Sequence, residues 1–156
     1  MNAWRLAKVP HKSLDGFGGE YAEGRWHMKG QRIVYTASSP SLAVLENLVH
    51  LDLLPDLMPD DYVLLDVEIP DGVSTEHVSA DSPADGWNAP DSMIAKEFGS
   101  RWLDETRTAV LLVPSAVIST ESNILINPRH AEAGRIRIAA ERPFRFDPRL
   151  LKQGGG

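Results

Sequence analysis

Residues 62–69 (YVLLDVEI) place an apolar side chain at every second position. The residues that share this spacing are Val63, Leu65, Val67 and Ile69. Asp66 and Glu68 fall between them and point the other way. A period of two is typical of a strand with one face buried and the other face near water. The segment therefore predicts a half-buried β-strand, and it is the clearest structural signal in the chain.

Glycine and proline divide the rest of the chain into short elements. The 156 residues contain 12 glycines and 11 prolines, which are scattered rather than gathered in a linker, and no internal repeat is visible. With 42% hydrophobic residues, the chain has enough apolar material for one ordinary core and too little length for two. We therefore expect one domain over residues 1–152 and a disordered, glycine-rich tail at residues 153–156.

Short apolar and β-branched runs predict further strands. These runs are residues 3–9, 32–37, 109–113, 116–118, 123–126 and 135–139. One helix is predicted from the cap Ser38-Ser39-Pro40 to about Leu53, and a second over residues 91–105, where apolar residues recur every four positions. Residues 14–24 and 73–90 are expected to be loops. Few helices and many short strands favour an α+β fold, with mainly antiparallel sheets in a single domain.

The charge and the residue types that are missing exclude several classes of function. The formal net charge is −6, and no basic run exceeds two residues, so the chain offers little to a phosphate backbone and direct nucleic-acid binding is not expected. Cysteine is absent, which excludes disulfides and thiolate nucleophiles. The five histidines show no metal-binding spacing, so we predict no metal site. No signal peptide or membrane span is evident, which predicts a cytoplasmic protein without membrane contact.

An arginine between glycines is the first candidate for a binding role. Arg25 lies in residues 24–30 (GRWHMKG), where flanking glycines allow a ligand to approach the backbone. The planar guanidinium donates paired hydrogen bonds to a phosphate, so Arg25 is a candidate phosphate clamp. The alternative is a surface arginine stacked on Trp26. Arg5, in the first predicted strand, raises the same question.

Three further side chains are candidates for chemistry. Glu46 borders the apolar stripe of the first predicted helix, where a carboxylate is partly shielded from water, although it would also serve as an ordinary solvated residue near His50. Tyr35 stands just before this helix and either lines the same cleft or only packs. Ser115 follows an apolar strand and a proline, and it is either a site hydroxyl or a turn serine. No G-x-S-x-G elbow supports a hydrolase triad.

Together, several motifs resemble those of the RES-domain toxins. They are WR near the start, GRWxxxG, VYTASSPSLAVLENLVH, VPSAV and NILINPRH, which span residues 4–130. Members of this family are toxins of bacterial toxin–antitoxin pairs, with a fold similar to that of mono-ADP-ribosyltransferases. They consume NAD or transfer its ADP-ribose. The resemblance therefore implies an enzyme for which NAD is a substrate and which needs no cofactor.

The resemblance also implies roles for the candidate residues. It places the catalytic residues at Arg25, Tyr35 and Glu46 and the NAD-binding residues at Arg5, Arg25, Tyr35 and Ser115. The arginines would hold the pyrophosphate, Tyr35 would stack on nicotinamide, Glu46 would stabilise the positive ribose, and Ser115 would bind sugar or amide. Family members often read GGRWN where this chain has EGRWH, which changes the surroundings of residue 27.

The implied activity is cleavage of the nicotinamide–ribose bond of NAD, by hydrolysis or phosphorolysis, with inhibition of growth. One alternative is a mono-ADP-ribosyltransferase that modifies a protein, and another is a binding module without turnover. The resemblance also implies a cognate Xre-like helix-turn-helix antitoxin, which would supply the DNA binding that this acidic chain lacks. A homodimer is compatible with the sequence, and no residue pattern decides it.

Overall fold

The computed structural model describes residues 1–51, 59–79, 81 and 85–150, so the tail expected at residues 153–156 lies outside the described ranges. Within them, seven strands form one sheet: β1 (Asn2–Lys8), β2 (Val34–Ala37), β3 (Tyr62–Glu68), β4 (Thr75–His77), β5 (Val110–Pro114), β6 (Ser122–Ile126) and β7 (Arg137–Phe144). The α-helices are α1 (Gly18–Tyr21), α2 (Pro40–Leu48) and α3 (Met93–Glu105), and short 3-10 helices cover Val9–His11, Ala133–Arg135 and Pro148–Leu150. The expected α+β fold is confirmed.

The sheet opens between β1 and β2, which are neighbours near its middle. The strand order is β4-β5-β6-β2-β1-β3-β7, and all neighbours are antiparallel except β4 and β5. β1 pairs with β3 along its whole length, from Asn2↔Glu68 to Lys8↔Tyr62. In contrast, β1 and β2 share the single pair Trp4↔Ala37. The remaining residues of β2 therefore stand apart from β1, and a cleft forms there.

The two faces of the sheet are covered differently. One face forms a core that includes Ala3, Val34, Val63, Leu65, Val67, Ile124 and Ile126. The alternation predicted for β3 is thus confirmed, because Val63, Leu65 and Val67 all enter this core, as does Ile69 just after the strand. The other face carries the helices: Leu42 of α2 packs near Ala37, and Trp102 of α3 lies in one cluster with Leu111 of β5.

Helix α2 begins as the sequence predicts. The Ser39 side chain accepts a hydrogen bond of 3.1 Å from the backbone N–H of Leu42, and Pro40 occupies the first turn. The helix ends at Leu48, earlier than the predicted end near Leu53, because the N–H groups of His50 and Leu51 bond three residues back, to Asn47 and Leu48. Leu53 itself lies outside the described part of the chain. No helix in the described ranges is long and apolar enough to cross a bilayer.

Two segments predicted as loops contain regular structure. Residues 14–24 include α1, whose Gly19 packs so closely that a Cβ atom would lie 2.2 Å from the Gln31 carbonyl oxygen. Glycine is needed for this contact, so its presence does not indicate a loop here. Residues 73–90 include β4, a three-residue strand with the sequence TEH at the edge of the sheet. It pairs through its backbone, and it therefore shows no apolar period.

Two predicted strands also differ from the structure. Residues 116–118 form a turn, because the backbone N–H groups of Val117 and Ile118 both donate to Ser115 Oγ instead of to a neighbouring strand. The last strand is Arg137–Phe144 rather than residues 135–139. Most of its side chains are exposed, so its length is set by pairing with β3 and not by an apolar pattern.

Helix α3 touches the backbone of Trp26 through a glycine. A Cβ atom on Gly99 would lie 1.8 Å from the Trp26 carbonyl oxygen. The Trp26 side chain is 1% exposed, and its ring centroid lies 6.0 Å from that of Trp87 and 6.2 Å from that of Phe98. The segment around Trp26 is therefore fixed against α3 with no space for a side chain between them.

We expect Gly99→Ala to lower the free energy of unfolding by about 1–3 kcal/mol, because either the helix or the Trp26 backbone must move. Urea denaturation measures this change. The matched control is Gly134→Ala, since a Cβ atom at Gly134 meets nothing within 4 Å. Equal midpoints for the two variants would contradict the close contact.

Candidate active site

The cleft between β1 and β2 is bounded by α2 and by one residue of β6. Three residues of each strand line it, together with Ala43, Glu46 and Asn47 of α2 and Asn123 of β6. The cleft exists because β1 and β2 pair at one position and then separate. Of the predicted site residues, Arg5, Tyr35 and Glu46 line it.

The Glu46 carboxylate is held through one oxygen. Glu46 Oε1 accepts a hydrogen bond of 2.7 Å from Ser115 Oγ and another of 2.7 Å from Asn123 Nδ2. Glu46 Oε2 takes no hydrogen bond from the described residues. Both donors are neutral, so they fix the carboxylate in place without cancelling its charge. The second oxygen remains available to a ligand in the cleft.

Ser115 orients Glu46 through the turn that it also stabilises. Its hydroxyl oxygen accepts hydrogen bonds of 3.0 Å from the backbone N–H groups of Val117 and Ile118, so its one hydrogen is donated to Glu46. The residue is fully buried. Ser115 is therefore a turn serine whose hydroxyl also contacts the Glu46 carboxylate, and its role on NAD stays a prediction.

Tyr35 lines the cleft, its side chain lies on the sheet face that carries the helices, and its hydroxyl is bound by the loop that carries Arg25. The hydroxyl accepts a hydrogen bond of 3.1 Å from the Trp26 N–H, and it lies 2.8 Å from His27 Nδ1. Burial raises the pKa of the Tyr35 hydroxyl well above its usual range, and the hydrogen bond from the Trp26 N–H and the positive charge of Arg25 offset this only in part. The hydroxyl therefore stays protonated, and the ring is the part of Tyr35 that a ligand in the cleft would meet.

Arg25 keeps one edge of its guanidinium open. Its Nη1 donates to the carbonyl oxygens of Trp87 at 3.0 Å and Ala89 at 2.6 Å, which uses both hydrogens of that nitrogen. Nε and Nη2 have no hydrogen-bond partner within the described residues. Since these two nitrogens share one edge, Arg25 can donate a pair of parallel hydrogen bonds to an anion. Its guanidinium is thus anchored by loop carbonyls, and Trp26 is buried beneath the loop.

The loop that carries Arg25 is fastened to α3 at several points. Gln31 Nε2 donates to the Ser100 carbonyl oxygen at 3.3 Å and to Asp104 Oδ1 at 2.9 Å. On the other side of Arg25, Glu23 Oε1 accepts a hydrogen bond of 3.0 Å from the buried Lys96. These contacts, together with the burial of Trp26, fix the backbone on both sides of Arg25.

Arg5 is engaged by backbone on the far side of the sheet. It pairs with Leu65, which places its side chain on the face opposite α2. Its Nη1 donates to the Ser13 carbonyl oxygen at 2.8 Å, and its Nη2 donates to that of His11 at 3.2 Å. Arg5 therefore borders the cleft and ties residues 11–13 to β1, and a role on phosphate stays a prediction.

The structure brings most of the predicted site residues together and adds two more. Tyr35 and Glu46 share the cleft, Ser115 contacts Glu46, and the charge of Arg25 acts on Tyr35. Asn123 and His27 are the additions. Asn123 lies at the start of β6, opposite Ala37. A polar residue at the start of a strand is only a weak indication of a site residue in a sequence. Among the described residues, no group of three His, Asp or Glu side chains could hold a metal ion.

We expect Ser115→Ala to lower the free energy of unfolding by about 1–3 kcal/mol, because the Val117 and Ile118 N–H groups lose their acceptor. Urea denaturation followed by circular dichroism measures the change. Ser119→Ala is the matched control, since Ser119 is an exposed serine nearby, and it should change stability by less than about 0.5 kcal/mol. An equally stable Ser115→Ala protein would show that the hydroxyl does not hold the turn.

Comparison with known proteins shows what the chain is similar to. A family model described as "RES domain" matches residues 2–147. A protein named "Toxin Res" from Pseudomonas putida strain KT2440 is 40% identical over 151 residues, covering 97% of this chain and 100% of that protein. A protein named "Prs ADP-ribosylating toxin" from Sphingobium sp. strain YBL2 is 38% identical over 157 residues, covering 96% of each.

A solved structure shares the fold. The crystal structure of the MbcT–MbcA toxin–antitoxin complex of M. tuberculosis contains a chain that superposes with a TM-score of 0.70. The match covers 96% of this chain and 85% of that chain, at 13% sequence identity. At this level of identity the likeness concerns the fold alone.

Proposed function

The chain belongs to the RES-domain family, and we propose that it is a toxin that consumes NAD by breaking the bond between nicotinamide and ribose. The observation that carries this proposal is the Glu46 carboxylate, held by Ser115 and Asn123 in a cleft that Tyr35 also lines. Water or phosphate serves as the acceptor of the sugar.

The fixed carboxylate suits the charge that this reaction develops. As the carbon–nitrogen bond breaks, its electron pair goes to the pyridinium nitrogen, nicotinamide leaves as a neutral ring, and the ribose becomes oxocarbenium-like. A carboxylate that is already oriented stabilises this positive sugar without reorganising during the reaction. The acceptor oxygen then bonds to the ribose carbon and gives up its proton to solvent. The second oxygen of Glu46, which no described residue engages, supports this role.

The other residues would bind the substrate around this centre. The open edge of Arg25 matches the paired oxygens of a phosphate group, and Tyr35 offers an aromatic face to the nicotinamide ring. Arg5, whose terminal nitrogens already hold backbone carbonyls, would contribute positive charge at the border of the cleft. Ser115 is buried and donates its hydrogen to Glu46, which favours a role through the carboxylate rather than on NAD itself.

We expect Glu46→Gln to lower kcat for NAD loss at least about a hundredfold while NAD binding changes little. The glutamine carbonyl oxygen still accepts from Ser115 and Asn123, so the fold is kept and only the charge is lost. Chromatography of an NAD time course measures turnover, and calorimetry of the same protein measures binding. A Glu46→Gln protein as active as wild type would rule out the carboxylate as the catalytic group.

We expect Arg25→Lys to raise KM for NAD about tenfold or more, because an ammonium cannot hold two loop carbonyls and also donate a parallel pair of hydrogen bonds. Arg145→Ala is the matched control, since Arg145 is an exposed arginine just after β7, at the edge of the sheet. Steady-state kinetics of both variants provide the comparison. Similar KM values for the two variants would argue against phosphate binding by Arg25.

A second candidate function is transfer of ADP-ribose to a protein. The relative named "Prs ADP-ribosylating toxin", 38% identical to this chain, favours it. The first half of the reaction is the same, and only the acceptor differs. Purified protein incubated with adenine-labelled NAD in buffer, in phosphate and in a bacterial extract separates the cases: the label ends in ADP-ribose, in its phosphate ester or on protein.

We also propose an antitoxin partner, of the Xre-like helix-turn-helix type, that covers the cleft. The fold neighbour was solved as a toxin–antitoxin complex, and the acidic charge of this chain leaves DNA binding to a partner. Expression of the chain alone should arrest growth and deplete cellular NAD, and coexpression with its antitoxin should restore both. Sedimentation of the purified chain tests whether it forms a homodimer. Normal growth and NAD levels without the partner would count against the toxin itself.

A further inference from the structure

His27 is buried and engaged at both ring nitrogens. It is 3% exposed, its Nε2 lies 2.9 Å from the Ala22 carbonyl oxygen, and its Nδ1 lies 2.8 Å from Tyr35 Oη. A carbonyl oxygen only accepts hydrogen bonds, so Nε2 carries the ring hydrogen. In the neutral ring Nδ1 is then an acceptor, and the Tyr35 hydroxyl donates to it.

The Tyr35 hydroxyl fits this arrangement. The Trp26 N–H donates to its oxygen at 3.1 Å, so its own hydrogen is free to point to His27. Gly24 makes room for the pair, because a Cβ atom there would lie 2.5 Å from Tyr35 Oη and 2.9 Å from His27 Nδ1. The hydroxyl is therefore enclosed by residues 24–27, the same segment that carries Arg25.

We propose that neutral His27 is a positioning residue, which holds the Tyr35 ring in the cleft by accepting a hydrogen bond from its hydroxyl. This inference rests on the proposed function, because it concerns the same site. His27 links the strand that carries Tyr35 to the loop that carries Arg25. It thereby sets the distance between an aromatic wall of the cleft and the cation beside it.

Protonation of His27 would reverse this hydrogen bond, because Nδ1 would then donate to Tyr35 Oη. A protonated ring donates at both nitrogens, so the Tyr35 hydroxyl loses its acceptor inside a buried site. The charged groups that act on the ring are Glu23 on its own loop and Lys96 of α3, which pair with each other, and Tyr35 of β2 is the titratable group in contact. Burial is the largest influence, and it lowers the pKa of His27 below its ordinary value.

The test compares His27→Asn with His27→Leu, each alone and combined with Tyr35→Phe. Asparagine places an acceptor oxygen near the position of Nδ1, whereas leucine has none. We expect His27→Leu to lower kcat/KM for NAD by about ten- to a hundredfold, mainly through kcat, and His27→Asn to stay within a few-fold of wild type. In the Tyr35→Phe background the leucine change should have little further effect, because the hydroxyl it acts through is gone. If the losses of kcat/KM caused by His27→Leu and by Tyr35→Phe simply multiply in the double variant, the proposal is overturned.

The pH dependence gives a second readout. We expect wild-type activity to fall on the acid side as His27 protonates, below the ordinary histidine pKa, and the midpoint to move to lower pH in His27→Asn. The unfolding free energy should also fall below about pH 6.5, since the unfolded chain then binds more protons than the folded one. An acid midpoint unchanged by His27→Asn would contradict the role of His27.

A nuclear magnetic resonance measurement separates this inference from the proposed function. The ¹⁵N shifts of the His27 ring at neutral pH should show a protonated Nε2 and an unprotonated Nδ1, whether or not the protein consumes NAD. A protonated Nδ1 would overturn the inference alone. Failure of the wild-type protein to consume NAD, with the expected ring state, would instead reject the proposed function and leave the hydrogen bond established.

Discussion

The burial of Trp26 is the interaction on which the site depends. Its ring lies against Trp87 and Phe98, its carbonyl oxygen touches the helix α3 at Gly99, and its N–H binds Tyr35. One side chain thus anchors the loop to the core, while its neighbours on either side, Arg25 and His27, reach different parts of the site. The cost is an indole N–H that is buried without a partner among the described residues, about 1–3 kcal/mol.

The charges of the site are held by neutral groups. Glu46 is bound by a hydroxyl and an amide, and Arg25 and Arg5 are bound by backbone carbonyls. None of these three residues takes part in an ion pair within the described part of the chain. An internal salt bridge would satisfy each charge and weaken its attraction for a ligand. Neutral partners instead orient each charge without forming an ion pair, which suits the proposed substrate, because NAD carries both a cation and phosphates.

Much of this arrangement could be predicted from the sequence, because it follows from local patterns. The period of two predicts β3, and the serine–proline cap predicts the start of α2, each from only a few neighbouring residues. The motif around Arg25, Tyr35 and Glu46 identified residues that the fold then places around one cleft or beside it. These roles remain predictions, since they concern a ligand, whereas the placement of the residues is a fact of the fold.

The rest depends on contacts that a single sequence does not display. Asn123 and Glu46 are 77 positions apart in the chain. Their hydrogen bond depends on the register of β6 with β2, which places Asn123 opposite Ala37. β4 has no apolar pattern, because it is held through its backbone at a sheet edge. The sequence predicts a strand at residues 116–118, but the N–H groups of Val117 and Ile118 donate to the side chain of Ser115 instead of to a neighbouring strand. In each case a partner distant in sequence, or a competing hydrogen bond, decides the outcome.

The parallel pairing of β4 with β5 has a consequence for how the site is supported. β4, α3 and β5 form a strand–helix–strand unit, in which the helix fastens the loop of Arg25 and the second strand leads directly into Ser115. Arg25 and Glu46 are therefore both held by this one unit, although they lie far apart in sequence. Local opening of that one unit would release both together, so the site is lost as a whole rather than residue by residue.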